Sequence, residues 1–211
     1  MGSPISLLTP DRLLTADRLL TADALAVTPE VGELIGRQAL DRSQWITCQG
    51  QGSFSLAAAM LSAATQQGSW LAVLATPTLG VEAISELGVD LGRVVAVDAD
   101  LESPMQWAER VVACSDGFDL VLTTMPTHIP DRIWRSMSQR TRRNGTVVVG
   151  LDTTGSHLTG DLRGVDLRCR VVGSVWEGLG RGSGRFVARR LQVEVAARRL
   201  PGVRKGQLVL R

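Results

Sequence analysis

The sequence predicts an α/β protein: a mostly parallel sheet flanked by helices and extended at its C-terminal end by antiparallel strands. Three observations carry this. The stretch from Gln44 to Pro77, QWITCQGQGSFSLAAAMLSAATQQGSWLAVLATP, reads as an apolar strand, a Gly-rich turn, an Ala/Leu/Met helix, a Gly break and a second apolar strand. That is the opening βαβ unit of a nucleotide-binding domain. Short apolar runs then alternate with helical patterns as far as Leu151. After Gly160 strands are separated by Gly-rich turns, and Gln192 and Glu194 alternate with Leu191, Val193 and Val195, the pattern of a half-exposed antiparallel strand.

Taken in order, the chain opens with a six-residue tandem over residues 8–25, LTPDRL, LTADRL, LTADAL. Its leucines share one broad face of a helix, with Thr9 as N-cap and Pro10 at the first helical position. Thr28-Pro29 breaks that segment, and a second short helix runs from about Glu30 to Leu40. Residues 1–43 thus form an N-terminal helical segment, and residues 44–211 the α/β domain. A strand at Trp45–Cys48 precedes a helix over Ser53–Gln66, with Ser53 or Ser55 as its cap. Strands follow at Trp70–Ala75, Val94–Val97, Leu120–Thr123 and Thr146–Leu151, with helices at Val81–Leu87, Pro104–Ala113 and Pro130–Thr141 between them. Leu167–Val172, Val175–Trp176, Arg190–Val195 and Gln207–Leu210 are the later strands.

The length of 211 residues suffices for a sizeable core. No apolar run approaches the roughly 18 residues of a membrane span. The N-terminus MGSPISLLTPDRLL lacks a basic region followed by an apolar one, so a cytoplasmic protein with no membrane contact is expected. Cys48, Cys114 and Cys169 each stand alone in or near an apolar segment, with neither zinc-site nor disulfide spacing. His128 and His157 lack an acid–His–nucleophile arrangement and read as loop residues. From Arg181 onward nine basic residues face Glu194 alone, although the whole chain carries a formal net charge of only +2. A basic end on an acidic body is a docking surface for an acidic partner or nucleic acid, or a guarded set of strand edges.

The Gly-rich turn lacks the side chains that hold phosphate. Aligning G-x-x-x-x-G-K-[ST] on Gly52 puts Thr47 at the first glycine, Ser53 at the lysine and Phe54 at the hydroxyl residue, with Gly50 inside the turn. Lys205 is the one lysine in the chain. The backbone N–H groups from Gly50 to Ser53 are all that remains to meet an anion.

Four further stretches carry a resemblance: LGVDLGRVVAVDAD (Leu87–Asp100), FDLVLTTMP (Phe118–Pro126), NGTVVVGLD (Asn144–Asp152) and RRLQVEVAARRLPGVRKGQLVL (Arg189–Leu210). In this order they resemble the RecA family from Gln44 to Leu210. WAER (Trp107–Arg110), the small size and the Arg-rich hairpin are most similar to the ImuA proteins, above all their short actinobacterial form, ImuA′ (ImuA-prime). The resemblance implies a RecA-like core and a part in a DNA-damage-induced mutasome of the SOS response. There the partner is ImuB, an inactive Y-family polymerase homologue, and through it an error-prone DnaE-type polymerase and the sliding clamp.

The resemblance also places the family's working positions. Its Walker B acid falls on Thr124, its catalytic Glu near Thr76, and its trans-acting lysines near Ala197 and Arg199. Asp119 lies at the wrong end of its strand for a metal. With the phosphate lysine and both acids replaced, the expectation is a protein that is not an enzyme and holds no cofactor or metal. The loops Met125–Asp131 and Thr153–Arg163 have few cations and no aromatic platform, so DNA contact is expected to be weak or indirect. Trp134 and Trp176 stand beside arginines, the composition of interface anchors. The expected partner-binding surface is Trp176 with Arg185, Arg189, Arg190, Arg198, Arg199, Arg204 and Lys205, and the leucine repeats come second. A sequence-independent DNA-binding protein using this Arg-rich region is the alternative.

Overall fold

The computed structural model describes residues 24–74, 80–97, 103–152, 164–179, 184–198 and 202–210. Elements follow in the order β1 (Ala24–Ala26), α1 (Pro29–Ile35), β2 (Ala39–Asp41), β3 (Trp45–Gln49), α2 (Ser53–Gln66), β4 (Leu71–Leu74), α3 (Val81–Glu86) and β5 (Val94–Val97). After these come α4 (Pro104–Ser115), β6 (Leu120–Thr124), α5 (Asp131–Arg143), β7 (Val147–Asp152), β8 (Leu167–Leu179), β9 (Gly184–Ala197) and β10 (Arg204–Leu210). An eight-stranded sheet runs β10-β9-β8-β3-β7-β6-β4-β5, and β1 pairs with β2 in a separate two-stranded sheet. Pairing is parallel from β8 to β5, and antiparallel between β8 and β9 and between β9 and β10. The fold is α/β, mostly parallel, with an antiparallel C-terminal end.

Local chemistry sets the boundaries. Thr28 caps α1 by accepting from the Val31 amide, Pro29 opens it, and Gly36 closes it in the left-handed conformation. Ser103 caps α4 in the same way, accepting from the Gln106 amide ahead of Pro104; such a cap contributes about 1 kcal/mol. The sheet separates two apolar layers. On one face lie α1, α2 and α3, with Leu34, Met60, Leu61 and Ile84 among the buried residues. On the other lie α4 and α5, with Trp45, Trp107, Val111, Trp134 and Met137.

Several expectations are corrected. The helix expected to reach Leu40 stops at Ile35, because Gly36 turns the chain into β2. Ala24 and Leu25, expected at the end of the leucine helix, are in β1 and pair with Asp41 and Leu40. The rest of the leucine repeat lies outside the described residues. Leu25, Val31, Leu34 and Leu40 belong to the same buried layer as α2. Residues 167–172 and 175–176, expected as two strands, are one strand, β8, with irregularities at Val171–Gly173 and Glu177–Leu179. The glycines there serve as bulges instead of breaks. The first part of β8 is also parallel to β3, so the antiparallel extension begins only at β9.

The cysteines do not all stand alone. Cys48 on β3 faces Cys169 on β8 in register, both buried. The side-chain hydrogen bond between Cys48 and Cys169, followed by burial, pushes the Cys48 thiol well above its ordinary range. Asp119 is structural: it accepts from Arg42 at 2.9 Å and from the Trp70 amide at 3.1 Å. Asp166 does similar work at the start of β8, accepting from the Trp45 amide at 3.0 Å and from Arg142 at 2.6 Å. No helix among the described residues is long and apolar enough to cross a membrane.

Candidate functional site

The Gly-rich turn sits at the carboxyl end of β3, the second strand in from β9 and the end where open α/β sheets collect ligands. Gly50 and Gly52 both have positive φ, 88° and 106°. A Cβ on Gly50 would overlap the Val171 carbonyl oxygen of β8. One on Gly52 would lie 2.9 Å from an Arg189 guanidinium nitrogen and 3.0 Å from the Leu191 methyl. Both glycines are therefore required by backbone conformation and by the closeness of β8 and β9. The Ser53 amide, one of the groups left to meet an anion, donates to the Gly50 carbonyl at 3.0 Å.

Ser53 is buried at the first position of α2, and Gly52, with no side-chain cap bond, is the N-cap. The expected caps therefore do other work. The Ser55 hydroxyl accepts from Arg189 at 3.2 Å, and the Ser174 hydroxyl accepts from the same guanidinium at 2.8 Å. Phe54 is half-buried against the core layer. At the end of β6, Thr123 accepts from the Trp107 indole at 2.9 Å and donates to the Thr124 carbonyl at 3.2 Å. Thr123, one residue before the position that the RecA resemblance aligns with a metal-holding acid, thus completes the packing of an indole. A Cβ on Gly150 would overlap the Met125 sulfur, so β7 and the residue after β6 are also in close contact.

Arg189 organises the site. It lies over the turn, and its guanidinium stacks 4.6 Å from the Trp176 ring centroid. Trp176 in turn packs edge-on against Phe186, 5.0 Å between centroids. Burial lowers the Arg189 pKa, and among the described residues no carboxylate pairs with it. A cation at a helix N-terminus meets a dipole of its own sign, at a cost of about 0.3–1 kcal/mol. Two hydroxyls and an aromatic face offset that cost.

The strands around this arginine form an arm. β8 pairs with β3 only as far as Arg170, and β9 pairs with β10 only from Arg189 onward. Residues 171–176 therefore pair on one side only, with the part of β9 that β10 also pairs, and beyond them 177–179 and 184–188 pair with each other alone. Val172, Val175, Trp176, Phe186 and Val187 are all exposed there, Trp176 at 51%.

The structure divides the expected partner-binding set. Arg185 is exposed on the arm, its backbone against Gly178 of β8. Arg190 is tied to Glu177 at 2.6 Å, and Lys205 to Glu194 at 3.3 Å. Arg204 reaches the Gly36 turn of α1, and Arg198 is exposed after β9. Arg199 and Thr76 lie outside the described residues, as do His157 and the loop from Thr153 to Arg163. His128 is exposed. Trp134, expected as an anchor, is 2% exposed and stacks edge-on with Trp45, 4.6 Å between centroids; it is a core residue. The sequence reading overlooked Asp152, a 5% exposed carboxylate at the end of β7, opposite Gln49 in register. An acid closing an otherwise apolar strand was its only local signal. No group of three His, Cys, Asp or Glu among the described residues is placed to hold a metal ion.

Fold and site together define a parallel α/β protein whose nucleotide-type turn is packed beneath its own β9. The chain belongs to the family of the MT3502 N-terminal domain, which matches residues 33–155. The match runs from the last residues of α1 to just past β7, includes the Gly-rich turn and stops before β8. No curated protein matches the chain.

Proposed function

We propose that this chain is a non-catalytic adaptor with a RecA-like core, resembling ImuA-prime, that binds ImuB and helps assemble an error-prone DnaE-type polymerase on the sliding clamp. One observation carries the reading: Arg189 of β9 fills the space over the Gly-rich turn while the same pair of strands presents Trp176 and Phe186 outward. Among the described residues a polyphosphate meets no lysine and no free cradle at that turn. An exposed aromatic pair edged by arginines is the composition of a protein-docking hot spot. The cytoplasm is the compartment this role requires.

The test is capture of the full chain by ImuB, compared with Trp176→Ala and Phe186→Ala. Truncation near Gly180 is unsuitable, because it removes Leu191, Val193 and Val195 from the core. Capture by the parent chain and its loss in both variants supports the reading; equal capture by all three places the docking surface elsewhere. The same cations and rings favour a second reading, sequence-independent binding of single-stranded nucleic acid. That reading requires affinity for single-stranded DNA that falls steeply with salt, and a flat response removes it.

A further inference from the structure

One buried row of the main sheet crosses four strands and contains two thiols. Leu151, Cys48, Cys169 and Val195 stand in register across β7, β3, β8 and β9, all within the apolar layer that α1, α2 and α3 cover. Adjacent strands lie about 4.8 Å apart, so the α-carbons of opposed residues fall within the span of about 4.4–6.8 Å that a disulfide bridges. The side chains already meet, since Cys48 and Cys169 share a hydrogen bond. Cys114, in α4, belongs to the other layer. The pair also sits close to an open end. Gln49 and Arg170, one residue beyond the thiols, are the last register between β3 and β8, and Arg170 is exposed. Parting two registers therefore uncovers both sulfurs, a local opening that leaves the rest of the sheet closed. No acid or histidine joins them in a metal-holding group among the described residues.

We propose that Cys48 and Cys169 form a redox site, which hydrogen peroxide converts to a disulfide that locks β8 onto β3. Either thiol can react first. Its sulfur, as thiolate, attacks one peroxide oxygen: an S–O bond forms as the O–O bond breaks, and the departing hydroxide takes up the thiol proton to give water. The sulfur is now a sulfenic acid. When the strands close again, the other sulfur meets it in register. The S–S bond forms, the S–O bond breaks, and the second hydroxide leaves as water with the second proton. Two thiols and one peroxide thus become one disulfide and two waters, the thiols oxidised and the peroxide reduced by two electrons. The hydrogen bond to Cys169 and burial hold the Cys48 proton while the strands are together, so their opening limits the rate. The disulfide fixes the arm to the core at its root, whether or not the arm has met a partner.

The test is mass spectrometry of the full chain before and after exposure to excess hydrogen peroxide. The parent chain should lose two hydrogens, regain them with dithiothreitol, and give a non-reduced peptide pair that joins Cys48 to Cys169. Cys114→Ala should behave as the parent does, whereas Cys48→Ala and Cys169→Ala should add oxygen instead. The peptide map of the parent decides even where a variant fails to fold. In the oxidised chain, hydrogen exchange at the amides of Thr47–Gln49 and Leu167–Arg170 should slow by about tenfold or more. A parent that only adds oxygen, or whose bond joins Cys114 of two copies, overturns the proposal. So do thiols that stay reduced until urea unfolds the chain, since they are then packing residues alone. Equal exchange in the oxidised and reduced chains overturns it as well, because the disulfide then does not hold the two strands together.

Discussion

The molecule contains two aromatic clusters with nearly the same ring geometry and opposite surroundings. Trp45 meets Trp107 and Trp134 edge-on, at 6.4 and 4.6 Å, and Trp176 meets Phe186 edge-on at 5.0 Å. In the first cluster the indole N–H groups of Trp45 and Trp107 donate to the buried hydroxyls of Thr141 and Thr123. In the second an arginine covers one ring face, and Trp176 stays half open to solvent. Ring geometry therefore does not separate a core from a contact surface. What separates them is where each indole finds a polar partner and what lies behind the ring. The first cluster holds α4 and α5 onto the sheet, whereas the second lies on the exposed length of β8 and β9, beyond the point where β8 leaves β3.

That contrast can be broken by substitution. Trp45→Ala should have the largest effect, a loss of about 3–5 kcal/mol in urea unfolding; a loss comparable to that of a surface substitution would remove the distinction between the clusters. Thr123→Val comes next, because it strands the Trp107 N–H away from water. It should cost about 1–3 kcal/mol, and a neutral result would mean that the indole finds another acceptor. Trp176→Ala should change stability by less than about 1 kcal/mol, the scale of one exposed cation–π and one ring contact, while reducing ImuB capture by at least about tenfold. The smallest effect concerns the thiols. Cys48 and Cys114 are raised in the folded state, so both folded and unfolded forms keep these protons at neutral pH. Above the ordinary thiol range, about pH 8.5, the unfolded chain loses them first. Stability should then decline with rising pH, by amounts that Cys48→Ala and Cys114→Ala diminish.

Much of the fold was legible in the sequence because it is local. Ser53–Gln66 and Val94–Val97 were expected with the boundaries they have, since a Gly-rich turn, a Gly break and flanking charges mark them. Residues 167–179 were misread because glycine carries the same letter in a bulge and in a turn. Only the pairing of β9 across β8 decides between them. Trp134 was misread for a similar reason: arginines follow it in sequence, yet the helix turns Arg135, Arg140 and Arg143 to solvent and the ring to Trp45. The site was least legible. Arg189 meets Ser55 across a separation of 134 residues, and neither residue stands in a motif that announces the other. What could be read was the missing lysine, but not the arginine that covers its place.

The Cys48–Cys169 pair gives the seam between β3 and β8 a chemical clock. Cys48 belongs to the stretch that the family match covers, and Cys169 lies beyond it, in the strand that carries the arm. Neither sulfur meets solvent until these two strands part. The rate at which a small alkylating reagent consumes Cys169 therefore measures how often the C-terminal strands peel away from the rest of the sheet. A ligand seated on the arm would slow that reaction from a distance, without touching either thiol.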